Sequence, residues 1–247
     1  MKEWDYDNDQ WMALPSHLKH LPLFTRHYDL LSLVMRTLWS IILKFLFRFY
    51  IRLYVKGDFH EIHKNYPRLL VIANHASHLD ATSIVAAVPF RYWMDLYITA
   101  AKDYFFSNPI FTFFSKHCLG AIPMDRKERK GEAVQLCLTL LNNLERIWLI
   151  IFPEGTRSKD GYIQQFKRGV SLFSEKTTTP LLFLYLDGAS ELWPKGRLFP
   201  KPGVLTLHIG PVHPPAPIEL IYEHYRDWVM RINPNAFKNE DDASDAS

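Results

Sequence analysis

"RLLVIANHASHLD", Arg68 to Asp80, decides how the chain is read. Leu69 to Ala73 form an unbroken apolar run, Asn74 and His75 end it, and Ser77 with Asp80 three residues later matches the capping pattern S-x-x-D ahead of another apolar segment. Pro89 then stops that segment. The stretch therefore predicts a strand, a turn and a helix start, in that order, and it leaves two histidines and an aspartate in the turn.

The same alternation extends outward from it. "LYITAAK" (96–102), "IWLIIFP" (147–153), "PLLFLYLDG" (180–188) and "VLTLHIG" (204–210) read as further strands bounded by turn residues. Ser77 to Val88, Gly131 to Arg146 and Ile218 to Ile232 carry helical periodicity. The expected fold is α/β, with a mixed and largely buried sheet flanked by helices over residues 58–233. Residues 1–29 form an N-terminal extension, and the acidic "NEDDASDAS" belongs to a tail, 234–247, expected to be disordered.

Leu30 to Lys56 stands apart. It holds five basic residues and no acidic one, with large apolar side chains between them. On a helix Arg36, Lys44, Arg48 and Arg52 make a slowly drifting stripe that includes Ser32 and Ser40. No uninterrupted apolar run reaches the roughly 18 to 20 residues that span a bilayer. Residues 30–57 are accordingly expected to form an amphipathic, membrane-associating helical segment that lies in the interface, its Lys and Arg stems reaching toward phosphates; a core helix docked on the domain is the plain alternative, and a tilted or hairpin insertion a further one. Met1 to Asp29 begins acidic and aromatic and is not a cleavable secretory signal.

Composition sets outer limits. In 247 residues, 48% hydrophobic and 22% charged, the chain is neither disordered nor fibrous. A net charge of +3 is too mild to indicate nucleic acid, and it suits an anionic membrane or a phosphorylated substrate. Two cysteines, Cys118 and Cys137, give neither a disulfide framework nor zinc spacing, which points to a reducing compartment.

The turn after Ala73 offers chemistry. Helical side chains lean toward the N-terminus, so an Asp80 in the first helical turn points back at His75. A hydrogen bond from one ring nitrogen of His75 to that carboxylate would leave the other nitrogen as a base. Pure capping is the plain reading of Asp80, and a packing or solvent-facing side chain that of His78. A metal triad of His75, His78 and Asp80 is a further option, but ligands straddling a helix start diverge and no other His or Cys cluster completes a shell.

"IIFPEGTRSKDG", Ile150 to Gly161, supplies the complement. Pro153 and Gly155 break the strand, and Thr156, Arg157 and Ser158 follow in a turn with backbone N–H groups and a guanidinium suited to phosphate. Lys167 and Arg168 downstream and Arg126 upstream add positive charge. The plain reading is a strand-exit turn, with Glu154 pairing to Arg157 or capping, and solvated Lys127, Arg129 and Lys130.

"NHASHLD" and "FPEGTRS", in this order, resemble motifs one and three of the glycerolipid acyltransferase family that includes 1-acylglycerol-3-phosphate acyltransferases. The resemblance covers roughly Arg68 to Pro215. "AAKDYFFSNPIF" is similar to the family's Lys-containing segment through Lys102 and Pro109, and "GAIPMDR" to motif two through Gly120, Asp125 and Arg126. "TPLLFLYLDGA" resembles motif four, although of its usual two prolines only Pro180 is present and Phe183 stands at the other position. The resemblance implies His75 as general base, Asp80 as its orienter, and Glu154, Gly155, Thr156 and Arg157 as acceptor-binding residues, with Arg126 and Lys102 as weaker candidates. It implies no metal and no resident cofactor. An acyl-CoA or acyl carrier protein thioester would be the donor, a lysophospholipid the acceptor, and the cytoplasmic face of a membrane the location. Other acceptors, such as glycerol-3-phosphate or an aminoacyl lipid, and a non-catalytic lipid-binding protein are the alternatives. A hydrolase lacks its G-x-S-x-G elbow.

Overall fold

The run Leu69–Ala73 becomes a strand because both of its faces find apolar cover. The structure, a computed structural model, describes residues 30–101, 108–124, 132–194 and 196–238. Its elements begin with helix α1 (Leu30–Phe49), strand β1 (Ile51–Lys56), α2 (Phe59–Asn65), β2 (Arg68–Ala73), α3 (Asp80–Ala87), a 3₁₀ turn (Phe90–Asp95) and β3 (Leu96–Ala101). There follow α4 (Pro109–Phe114), continued by a π turn (Ser115–Leu119), β4 (Ala121–Met124), α5 (Glu132–Asn143) and β5 (Ile147–Ile151). The remainder is α6 (Gly169–Thr177), β6 (Leu181–Asp187), α7 (Ala189–Leu192), β7 (Gly203–His213) and α8 (Ile218–Met230).

Among the described residues the strands form one seven-stranded mixed sheet in the order β1-β7-β6-β2-β5-β3-β4. Every pairing is parallel except β6 with β7. Along β2 the side chains alternate between two apolar layers, as period-two geometry requires. Leu70 and Ile72 join Leu149, Phe183, Leu136, Phe173 and Tyr225 under α5, α6 and α8. Leu69, Val71 and Ala73 join Ile150, Leu184, Ile84 and Val85, with Leu43 and Phe47 of α1 beyond them. The expected α/β fold with a mixed, largely buried sheet is the observed one.

Two boundaries differ from those read in the sequence. The helix expected to run to Lys56 ends at Phe49, and Ile51–Lys56 pairs in parallel with Gly203–His208 as an edge strand. The sheet thus begins inside the segment 30–57 that the sequence set apart. At the other end Ala236 and Phe237 are buried in the core, and the Ile163 N–H donates to the Ala236 carbonyl at 2.9 Å, so the ordered domain runs past residue 234. Residues 239–247 and 1–29 lie outside the described residues.

Helix α1 turns the polar line through Arg36 onto the domain, whereas its basic stems were expected to reach toward lipid phosphates. Its buried line is Ser32, Arg36, Ser40, Leu43 and Phe47, and its exposed face carries Leu30, Leu31, Leu33, Val34, Leu38, Ile41, Ile42, Phe45 and Phe49. Arg36, 3% exposed, donates from Nη1 to the Trp93 carbonyl at 2.6 Å, at the end of the 3₁₀ turn. Its guanidinium also lies against Gly120, where a Cβ would collide with it. Gly120 has φ +61°, so glycine is required there twice over. Ser32 Oγ sits 2.8 Å from His117 Nδ1. A helical row spaced by four drifts roughly 40° per step, which carries Lys44 and Arg48 out of this seam and into the open.

At the N-terminal ends of β3 and β5, Asp95 binds His63 Nε2 at 2.8 Å and Arg146 Nε at 3.3 Å. This knot fixes α2 under the sheet, at the end opposite the residues that follow β2 and β5.

Candidate active site

β2 and β5 are parallel neighbours, with Ile72 opposite Ile151. Residues leaving their C-terminal ends, His75 and Glu154, therefore meet although they are 79 positions apart. Ligand sites of open parallel sheets lie at this end of the strands.

Asn74 makes the first bend. Its side chain continues the ladder toward β6, accepting from the Leu186 N–H at 2.8 Å and donating to the Leu186 carbonyl at 3.1 Å. Its backbone N–H donates to the Tyr225 hydroxyl at 3.1 Å, and that hydroxyl donates to the Leu184 carbonyl at 2.8 Å. The turn is thus bolted to β6 and α8 before His75 is reached.

His75 Nδ1 lies 2.8 Å from Asp80 Oδ2. The same oxygen accepts the Ala76 and Ser77 N–H groups, each at 2.8 Å, from a side chain that is fully buried. A carboxylate oxygen facing three N–H donors fixes Nδ1 as the protonated ring nitrogen. Nε2 is then the basic one, and it has no hydrogen-bond partner among the described residues. The ring, 22% exposed, stacks on Phe152 at 4.2 Å between centroids. The predicted capping box forms in part. Asp80 reaches back to the Ser77 N–H, but Ser77 Oγ accepts from Leu79 N–H at 3.1 Å and donates to the Trp193 carbonyl at 2.9 Å. The helix accordingly starts at Asp80 itself.

The backbone of His75 is held by the second motif. Its N–H donates to Glu154 Oε1 at 2.6 Å, and its carbonyl accepts the Ser158 N–H at 2.8 Å. Glu154 Oε2 accepts the Gln164 N–H at 3.0 Å. Glu154, 4% exposed, thus spends both oxygens on main-chain donors and clamps the two motifs together. Burial pushes its carboxyl up to about 8 against the pull of those two donors.

A carboxyl that holds its proton more tightly folded than unfolded binds more protons in the native state between about 4.5 and about 8. Its contribution is full below that window, and stability falls as pH rises through it. Thermal unfolding at about pH 6 and about pH 9 checks this, and Glu154→Gln is expected to flatten the decline. The same variant should melt lower at about pH 6, by about 1–3 kcal/mol of stability, because an amide can accept only one of the two N–H groups.

Gly155 adopts φ +73°, and a Cβ there would meet Lys167 Nζ at 2.6 Å. The Lys167 ammonium therefore lies over the turn, its backbone N–H on the Pro153 carbonyl at 2.8 Å. Thr156 is exposed and Arg157 half-buried. The His78 pKa is lowered, by burial first and then by the Arg157 charge. His78 tilts against Trp193, centroids 5.0 Å apart. Among the described residues no cluster of three or more His, Cys, Asp or Glu side chains is placed to hold a metal ion. Lys102, Asp125 and Arg126 lie outside the described residues. Phe183 is buried in the core against Tyr225 and His213.

Reading the sequence did not single out Asn74, Phe152 or Tyr225. A polar amide directly after an apolar strand was a signal for the first; nothing local marks the other two.

A family model described as Acyltransferase matches residues 56–182, slightly more than half of the 247 residues. The chain is similar to 1-acyl-sn-glycerol-3-phosphate acyltransferase alpha of Mus musculus, 28% identical over 65% of this chain and 54% of that protein. It is 33% identical to a 1-acyl-sn-glycerol-3-phosphate acyltransferase of Pseudomonas aeruginosa over 38% of this chain and 36% of that one. The crystal structure of the 1-acyl-sn-glycerophosphate acyltransferase PlsC from Thermotoga maritima superposes with TM-score 0.65 at 25% identity, covering 84% of this chain and 81% of that chain. The curated relatives are longer, and the chain spans about a third to a half of their length.

Proposed function

Because the chain belongs to the acyltransferase family, we propose that it moves a fatty acyl group from an acyl thioester to the free hydroxyl of 1-acylglycerol-3-phosphate, giving phosphatidic acid. The observation that carries this reading is the 2.8 Å contact between His75 Nδ1 and Asp80 Oδ2, with Nε2 left basic beside a cationic turn.

Nε2 of His75 takes the proton of the acceptor hydroxyl as its oxygen bonds to the thioester carbonyl carbon. The tetrahedral intermediate then loses the thiolate, which takes the same proton back from the imidazolium. The Asp80 carboxylate stabilises the imidazolium between the two transfers. Donors for the oxyanion do not come from His75, Ala76, Ser77 or Gly155, whose N–H groups serve Glu154, Asp80, Asp80 and the Phe152 carbonyl. The Thr156 N–H is the donor in this reading. Lys167, which lies over Gly155, and Arg157, two residues further along the chain from that glycine, hold the acceptor phosphate. Glu154, expected from the family resemblance to contact acceptor, positions His75 instead. Lys102 and Arg126 remain phosphate candidates on sequence grounds.

The outer face of α1 belongs to the membrane. The helix has 20 residues and is long and apolar enough to cross a bilayer by length and composition. It is attached lengthwise to the domain through Ser32, Arg36 and Ser40, so it lies in the plane of the interface with its apolar side immersed. Trp39 packs edge-on against Phe114 at 4.8 Å and extends this surface to the exposed Ile110, Phe111 and Phe113 of α4. Both substrates with acyl chains are then met where they reside, on the cytoplasmic face.

Labelled acyl-CoA with a panel of 1-acylglycerol-3-phosphate, glycerol-3-phosphate and uncharged lysolipids tests the acceptor. Transfer is expected to be fastest to 1-acylglycerol-3-phosphate. Equal rates with phosphate-free acceptors would contradict the role given to Arg157 and Lys167.

A further inference from the structure

Between α7 and β7 the chain has little regular structure, yet it is firmly tied down. Pro194 bridges to Ser77, and the Trp193 carbonyl accepts both Ser77 Oγ at 2.9 Å and the His78 N–H at 3.3 Å. Inside the loop Trp193 Nε1 donates to the Arg197 carbonyl at 2.8 Å, and the Lys201 N–H to the Leu192 carbonyl at 2.8 Å. On its far side the Tyr50 hydroxyl, directly after α1, donates to the Pro200 carbonyl at 3.0 Å. At the tip of this braced loop Leu198 and Phe199 are 77% and 71% exposed. Bonds around the tip hold both side chains out instead of letting them fold onto the domain.

What covers them follows from charge and position. Pro194 to Gly203 contains Lys195, Arg197 and Lys201 and no acidic residue. Two adjacent apolar side chains flanked along the chain by the exposed Arg197 and Lys201 match the boundary between phosphates and acyl chains in an anionic bilayer. The Tyr50 bond sets the tip beside the end of α1, where Phe45, Arg48 and Phe49 are exposed.

We propose that the loop 196–200 is a second membrane-contacting element, which inserts Leu198 and Phe199 into an anionic bilayer and so sets the height of the His75 turn above it. The inference rests on the reading of the α1 face as membrane-facing. Because the root of the loop is bonded to Ser77 and His78, insertion at the tip orients the turn that carries the base.

The test uses the full chain with a nitrobenzoxadiazole label at Phe199→Cys or, separately, at Ile42→Cys on α1; the native Cys118 and Cys137 are buried. Vesicles of phosphatidylcholine containing phosphatidylglycerol are expected to shift both labels to the blue, with quenching by shallow nitroxide lipids. The Phe199 response should weaken in pure phosphatidylcholine. Leu198→Ser with Phe199→Ser should bind the anionic vesicles about tenfold more weakly. If the Ile42 label enters the bilayer and the Phe199 label stays in water, this inference is overturned while the α1 reading stands. If neither enters, both fail. A Phe199 label that responds to raised protein concentration or to acyl carrier protein, and not to vesicles, would assign the tip to a protein partner and overturn the inference as well.

Discussion

His75→Ala is expected to lower kcat for acyl transfer by roughly 10²- to 10⁴-fold, the range of a lost general base, with the fold intact. Nε2 is the only basic nitrogen of a ring whose Nδ1 is committed to Asp80. Among the described residues neither neighbour replaces it: Glu154 is clamped on two backbone donors, and His78 is turned to Trp193. The fold survives because the bonds that shape the turn are made by the His75 backbone to Glu154 and Ser158, and alanine keeps them. Asp80 retains the Ala76 and Ser77 N–H groups. His78→Ala, by contrast, should leave kcat within a few-fold. Steady-state kinetics beside thermal unfolding of the same preparations check both, and a larger loss at His78 than at His75 would reverse the assignment.

Asp80→Asn is the second large effect, with kcat expected to fall by about 10²- to 10⁴-fold, as when an orienting carboxylate becomes an amide. The amide oxygen can take the place of Oδ2 and still accept three N–H groups, so the turn keeps its shape. The negative charge that stabilises the imidazolium is gone. KM for the acceptor should change little, because the Asp80 side chain is fully buried and, among the described residues, its hydrogen bonds go to His75, Ala76 and Ser77 of the turn. Asp80→Ala is a different experiment. It orphans the Ala76 and Ser77 N–H groups and should cost about 2–5 kcal/mol of stability. A purely capping Asp80 would predict kcat retained in the asparagine variant, whose amide oxygen still caps the turn, with stability lost only in the alanine variant.

Much of this arrangement is legible in the sequence where the determinants are local. The apolar run before Asn74, the polar turn and the helix stop at Pro89 identify a strand, a turn and a helix, and the spacing of His75 and Asp80 predicts their contact. What was missed depends on partners far along the chain. "IRLYVK" follows α1 with no glycine or proline between them, so it reads as more helix; it is a strand because Gly203–His208 lies alongside. Asn74 owes its place to Leu186 and Tyr225, 112 and 151 positions away. Periodicity located the stripe through Ser32, Arg36 and Ser40 but carried no sign. Only the Trp93 carbonyl and His117, waiting on the domain surface, turn that stripe inward and leave the apolar side out. For Glu154 the sequence offered a capping or pairing carboxylate, and the clamp across both motifs emerged once β2 and β5 proved adjacent.

The central claim is that His75 and Asp80 drive transfer of an acyl group to a lysophospholipid hydroxyl. The most direct measurement follows free thiol release from acyl-CoA by the purified full chain, with and without 1-acylglycerol-3-phosphate, while phosphatidic acid is quantified in the same samples. Thiol and phosphatidic acid should rise together, one for one, only when the acceptor is present. Thiol release without acceptor, or no phosphatidic acid in its presence, would contradict the account.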